Sequence, residues 1–201
     1  KPESYRPISL LCTLSKILER IILIRFNSHL EENEILPEEQ HGFRAKFSTT
    51  RQLRKVIQTA KSALTQKQST GMILLDVEKA FDRVWHEGLI YKLITLNFPP
   101  YIIKIVQEFL SNRTFQVHIN GRKSAIHEIM AGVPQGAGLS PTLYNTYTYD
   151  IPKNEQTTTA LFADDTAIYA SSTQLKNIIK PLKEHAQQIQ DYMTKWKIKI
   201  N

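Results

Sequence analysis

"TTALFADDTAIYA", residues 158–170, decides how the chain is read. Two short apolar runs, "TTALFA" and "TAIYA", flank Asp164 and Asp165, the pattern of a β-hairpin with both carboxylates at its tip. Adjacent negative charges repel unless a cation sits between them or solvent screens them. A two-residue tip also prefers glycine, as in Asn-Gly, although Asp tolerates left-handed backbone better than most residues. On its own the pair is more often a solvated turn than a metal site.

A third carboxylate bears on the choice. "GMILLDV" (71–77) is a continuous apolar run after Gly71, the pattern of a strand covered on both faces, and Asp76 stands at its end. Three carboxylates from two neighbouring strand ends make a hard, all-oxygen ligand set that suits two Mg²⁺ ions. Two such ions activate an attacking hydroxyl and stabilise the leaving oxygen in phosphoryl transfer. With Asp76 the metal reading draws level with the solvated turn. "GVPQGAGLSP" (132–141) then tips it, placing Gly132, Gly136 and Gly138, three of the seven glycines, close together. No Lys-Ser or Lys-Thr follows, so this is not a Walker loop. Its glycines let backbone approach a ligand closely, and a loop that runs straight into a helix does not suit a flexible surface segment.

Around these stretches, Leu14, Ile17, Leu18, Ile21 and Ile24 predict an amphipathic helix over 13–32, followed by a loop at 36–48. Leu53, Val56, Ile57, Ala60 and Leu64 predict a helix over 49–67, and helical spacing returns over 85–96, 100–111, 139–149 and 173–195. A hairpin turns at Asn120-Gly121, and "KIKI" closes the chain as a strand. Hairpins mixed with helices predict an α+β fold: an antiparallel sheet with helices on one side in the split βαβ style, with the basic N-terminal helices as a second lobe.

At 201 residues, 41% hydrophobic and 22% charged, the chain suits one globular domain. Its longest apolar runs are too short to span a bilayer, no secretory signal precedes the first motif, and Cys12 alone forms no internal disulfide. An intracellular protein without a membrane partner is expected. The chain starts without Met and stops at "KIKIN", which reads as a piece of a longer protein. Net charge is +7, and no acidic residue falls between Glu39 and Asp76, where Arg44, Lys46, Arg51, Arg54, Lys55, Lys61 and Lys67 lie. Such a segment is a solvated basic face or the footprint of a polyanion. The six histidines show no metal-ligand spacing, Asp82 reads as a helix N-cap, and Trp85 and Trp196 read as packing residues.

"YRPISLL", "HGFR", "LLDVEKAFDRVWH", "GVPQGAGLSP", "LFADDTAIY" and "KWKIKIN" occur in the order seen in reverse transcriptases of non-LTR retrotransposons, and the chain resembles the jockey-like elements most. The resemblance covers nearly all of residues 5–201. It implies a polymerase right-hand palm with a ferredoxin-like antiparallel sheet, plus mainly helical fingers: a single domain with fingers mainly in 1–70, palm mainly in 71–201, and no thumb. Asp76, Asp164 and Asp165 match the family's catalytic, metal-binding aspartates, and Val77 matches a residue that holds metal through its backbone carbonyl. Phe81 matches the bulky residue that excludes a ribose 2′-hydroxyl, and Gln135 and Gly136 match the loop lining the nucleotide and template pocket. Arg6 resembles the fingers arginine that contacts the triphosphate, a task suited to a planar multi-donor cation. Arg44 of "GFR" falls near nucleotide or template, and Lys46, Arg51, Arg54 and Lys55 extend a nucleic-acid-binding face.

The implied activity is RNA-directed DNA polymerisation with two Mg²⁺ ions, Mn²⁺ being a possible substitute. Its partners would be a dNTP, an RNA template, a DNA primer and the parent protein's remaining domains, a thumb and an endonuclease, in cytoplasm and nucleus. Ala137 and Tyr149 depart modestly from the family pattern, where a small polar residue and an Asn are common. An RNA-directed RNA polymerase would share the carboxylates, but Phe81 argues against admitting a 2′-hydroxyl. An inactive nucleic-acid-binding remnant of a retroelement is the other alternative, and the intact Asp76, Asp164, Asp165 and Phe81 argue against it.

Overall fold

The helical periodicity at the start of the chain is realised as α1 (Thr13–Glu32), but a different face is buried from the one expected. In the computed structural model, which describes residues 7–201, α1 buries Glu19, Ile22, Phe26 and Leu30. Leu14, Ile17, Leu18, Ile21 and Ile24, the residues that predicted the helix, are 48–78% exposed. The helix is apolar on two faces, so periodicity locates it without saying which face seats it.

The chain forms two units, one from the residues up to Asn33 with Phe81–Tyr147, the other from Glu34–Ala80 with Thr148–Asn201. In the first, α3 (His86–Thr95), α4 (Pro100–Leu110) and α5 (Leu139–Tyr147) pack with α1. All of α5 except Pro141 is buried, and the buried Lys92 donates from Nζ to the Tyr147 carbonyl at its C-terminal end, 2.6 Å away. A cation there meets the negative end of the helix dipole. Glu19 of α1 accepts the Leu139 N–H through Oε1 at 2.9 Å, capping the opposite end of α5. Between α4 and α5 lies an exposed arm of short antiparallel strands, β2 (Thr114–Phe115) with β5 (His127–Glu128), and β3 (His118–Ile119) with β4 (Arg122–Lys123). Asn120 and Gly121 take positive φ at its tip, the expected Asn-Gly turn.

The second unit holds α2 (Thr49–Thr65) and a three-stranded antiparallel sheet in the order β1-β7-β6: β1 (Ser69–Leu75), β7 (Asp165–Ser172) and β6 (Thr158–Phe162). Helix α6 (Lys176–Lys195) covers the face onto which Gly71 opens: a Cβ there would meet Ile178 Cγ2 at 2.5 Å. Expected as covered on both faces, β1 is instead an edge strand, and Met72 and Leu74 on its other face are 42% and 75% exposed. Its continuous apolar run therefore reflects one packed face and one open one. After α6 the expected terminal strand shrinks to one bridge, Val77 with Ile200, flanked by Glu78 N–H to Lys199 O and Asn201 N–H to Asp76 O, each 2.8 Å. His185 is buried with both ring nitrogens engaged, by Thr157 Oγ1 at 2.6 Å and the Pro152 carbonyl at 2.9 Å, a structural role. The fold is α+β with antiparallel pairing, as expected.

Candidate active site

The ladder of β1 and β7 ends at the pair Leu75–Thr166, so the next residues outward on the two strands are Asp76 and Asp165. Register alone brings these two carboxylates to one end of the sheet. Asp164 belongs to the turn between β6 and β7, but the turn is not the one expected. Phe162 pairs with Asp165, so the tip is Ala163-Asp164 and Asp165 is the first residue of β7. Ala163, rather than an Asp, takes the left-handed backbone, with φ 58°.

The reason lies in the loop before α2. The buried Gln40 accepts the N–H groups of Ala163 (2.9 Å) and Gly42 (2.8 Å) on Oε1 and donates from Nε2 to the Ala163 carbonyl (3.3 Å). Gly42 lies so close that a Cβ would come 2.2 Å from the Ala163 nitrogen. Gln40 and Gly42 thus fix the acidic turn, a role the sequence reading missed. The nearest signal was "HGFR", of which only Arg44 was singled out.

The Asp76 carboxylate accepts a hydrogen bond from Asn201 Nδ2 at 3.0 Å and is otherwise exposed. The flanking Asp76 and Glu78 make the hydrogen bonds of the terminal bridge, so these bonds do not engage the Val77 carbonyl. Among the described residues no three His, Cys, Asp or Glu side chains converge as a closed metal-ligand set. What the sheet end offers is hard oxygen donors at adjacent register positions, with a main-chain carbonyl beside them, which is the donor chemistry a divalent hard cation takes.

Phe81, Gln135 and Gly136 lie in the first unit. The loop from Gly132 to Gly136 is docked on the residues of the 3-10 turn Ala80–Arg83 and on Val84: Val133 N–H bonds Phe81 O (2.7 Å) and Gly132 N–H bonds Val84 O (2.8 Å). On its other side the Gln135 carbonyl accepts the Ser9 N–H at 2.7 Å. Gly132 (φ 88°) and Gly136 (φ 104°) have no room for a side chain, since a Cβ would reach 2.7 Å from the Asp82 carbonyl oxygen and 2.9 Å from the Ser9 carbonyl oxygen. The Phe81 ring stacks on Tyr144 of α5 with centroids 5.2 Å apart and planes at 21°. Asp82, expected as an N-cap, is none; Trp85 holds that position of α3, and Asp82 Oδ1 accepts from Gln135 Nε2 at 2.6 Å.

The basic stretch surrounds the N-terminal part of α2, whose N-cap Ser48 accepts the Arg51 N–H. Guanidiniums of Arg44 and Arg51 lie 4.7 and 5.0 Å from the Phe47 ring centroid, and Arg54 and Lys55 are exposed. None of Arg44, Lys46, Arg51, Arg54 and Lys55 forms an ion pair among the described residues. His41 is buried beside them, with Nε2 3.4 Å from Lys55 Nζ. Burial first, then the charges of Lys55, Arg51 and Arg44, hold its pKa below the ordinary 6.5. Arg6 lies outside the described residues.

The family model described as "Reverse transcriptase (RNA-dependent DNA polymerase)" matches residues 1–201. The RNA-directed DNA polymerase from mobile element jockey of Drosophila melanogaster is 40% identical over 99% of this chain, which spans 22% of that protein's length. The probable RNA-directed DNA polymerase from transposon BS of the same organism is 36% identical, the chain spanning 23% of it. Among solved structures, telomerase from Candida tropicalis in complex with a telomeric RNA fragment aligns with TM-score 0.63 at 16% identity, over 94% of this chain and 32% of that one. At that identity the likeness speaks to the fold.

Proposed function

Given that the chain belongs to the reverse transcriptase (RNA-dependent DNA polymerase) family, we propose that it forms the fingers (mainly 1–70) and palm (mainly 71–201) of a non-LTR retrotransposon polymerase. The reaction is attack of a DNA primer 3′-hydroxyl on the α-phosphate of a dNTP, directed by an RNA template, with pyrophosphate leaving. Asp76, Asp164 and Asp165, with the Val77 carbonyl, are the ligands for two Mg²⁺ ions, or Mn²⁺ in their place. Bound there, the ions supply the positive charge that activates the hydroxyl and steadies the leaving oxygen.

Phe81 closes the space a ribose 2′-hydroxyl would need, discrimination by a built-in clash. Gln135 and Gly136 line the pocket for nucleotide and template, and Arg6 grips the triphosphate. Arg44, Lys46, Arg51, Arg54 and Lys55 contact the nucleic-acid backbone, for which cations without an ion-pair partner among the described residues are suited. The chain acts within a longer polyprotein that supplies a thumb and an endonuclease, inside the cell in cytoplasm and nucleus. Among the described residues no helix is long and apolar enough to cross a membrane.

The observation that carries this reading is the sheet register that sets Asp76 beside Asp165, with Asp164 on the adjoining turn. The test is primer extension on an RNA template by the intact polyprotein with Mg²⁺ and dNTPs. Template-directed extension that chelation abolishes is expected; nucleic-acid binding without any extension would leave the chain a binding remnant.

A further inference from the structure

Two backbone hydrogen bonds dock the Gly132–Gly136 loop on residues 81–84, and a third bond, from Gln135 Nε2 to Asp82 Oδ1 at 2.6 Å, joins side chains. A carboxylate has no hydrogen to give, so the nitrogen of the Gln135 amide must face Asp82, and Oε1 is turned away from it. A charged acceptor makes this bond stronger than a neutral one.

Asp82 is itself held in place. Its backbone abuts Gly132, where a Cβ would come 2.7 Å from the Asp82 Cα. Arg113 donates from Nη1 to the Gly132 carbonyl at 2.7 Å. Burial pushes that guanidinium below its ordinary pKa, and the charge of Asp82 pulls it back. Removing the Asp82 carboxylate would leave both backbone bonds of the loop intact while freeing the Gln135 side chain to rotate.

We propose that Asp82 is a positioning residue that fixes the amide of Gln135 and thereby sets affinity for the incoming deoxynucleoside triphosphate, without touching the nucleotide itself. The inference rests on the polymerase reading, in which Gln135 lines the nucleotide pocket. Phe81 and Asp82 are consecutive on the 3-10 turn. The first is fixed by stacking on Tyr144 and the second fixes Gln135, so this turn orders two groups assigned to the nucleotide.

The test is the dNTP KM and kcat of the intact polyprotein on an RNA template, for wild type, Asp82→Ala, Asp82→Asn, Gln135→Ala and Asp82→Ala/Gln135→Ala. Asp82→Ala should raise KM about five- to tenfold, with kcat held within about twofold. Asp82→Asn, whose Oδ1 still accepts the amide hydrogen, should recover most of that loss. The double variant should match Gln135→Ala alone, because Asp82 then has nothing to position. A residue that serves only the fold would lower kcat with the active fraction, leave KM alone and add its effect to that of Gln135→Ala. That pattern, or an unchanged KM, overturns the proposal.

The Gln135 side-chain amide signal in the 201-residue chain reads the contact without activity. It should be sharp and slow to exchange in wild type and Asp82→Asn, and averaged in Asp82→Ala; a signal indifferent to Asp82→Ala overturns the inference. If wild type does not extend a primer, or Asp76→Asn extends as well as wild type, the polymerase reading falls and this inference with it. If extension depends on Asp76 while KM ignores Asp82, only the inference falls.

Discussion

The loop from Gly132 to Gly136 takes its shape from hydrogen bonds within the protein, whereas the Asp76–Asp165 end of the sheet gathers negative charge that the protein answers only in part. The loop is bonded on both sides, by Phe81 and Val84 on one and Ser9 on the other, with Gln135 tied to Asp82. At the sheet end, register and the Gln40 clamp fix the backbone, but neither Asp76 nor Asp165 makes an ion pair among the described residues. A neutral loop can be completed from within. Carboxylates brought together at a strand end repel one another, and on the proposed reading a divalent cation offsets that repulsion.

The largest effect should come from the acidic end. Asp76→Asn or Asp164→Asn keeps the side-chain shape and loses the charge, so RNA-templated extension should fall to background while the circular dichroism spectrum and melting cooperativity persist. Asp165→Asn should be milder. Near-normal turnover by Asp76→Asn would put the two regions on an equal footing and break the contrast.

On the loop side, Phe81→Val should raise the ratio of rNTP to dNTP incorporation by about tenfold, a change of about 1.4 kcal/mol. A lower melting temperature with an unchanged ratio would reduce Phe81 to a packing partner of Tyr144. Gly132→Ala imposes φ 88° on a residue with a Cβ and drives that Cβ into Asp82. It should cost about 1–3 kcal/mol in denaturant unfolding; no loss would mean that the loop is not locked as described.

His41 gives the smallest effect and the mirror image of the carboxylates. Buried beside Lys55, Arg51 and Arg44 and against the Phe47 ring, it has its pKa held below the ordinary value first by burial and then by those cations. Its pKa is depressed in the folded protein, so the unfolded chain binds the extra proton. Stability should therefore fall as pH drops from about 7 through the ordinary 6.5 towards the lower folded value, by under about 1.4 kcal/mol per unit. His41→Gln should flatten that slope. A wild-type slope of the opposite sign would contradict the lowered pKa.

The sequence discloses the elements better than their environments. α1 runs over the expected 13–32, and the Asn120-Gly121 turn forms where its residues call for it, because periodicity and positive φ are local properties. Which face of α1 is buried, and that β1 lies at an edge, depend on packing that a single strand or helix cannot announce. The hairpin tip shifts by one residue for the same reason. Asp is the better left-handed residue by propensity, but Gln40, more than a hundred residues away in sequence, clamps Ala163 into that conformation. Asp82 likewise reads as an N-cap until Gln135 is beside it.

The proposal that the Asp76–Asp165 end of the sheet binds a divalent cation is tested most directly by thermal melting of wild type and Asp76→Asn, each in EDTA and in millimolar Mg²⁺. In EDTA the variant should melt no lower than wild type, because one of the repelling charges is gone. Mg²⁺ should raise the wild-type transition, by about 1.4 kcal/mol once it reaches tenfold its dissociation constant, and leave Asp76→Asn unmoved. An equal Mg²⁺ shift in both proteins, or none in wild type, would contradict the account.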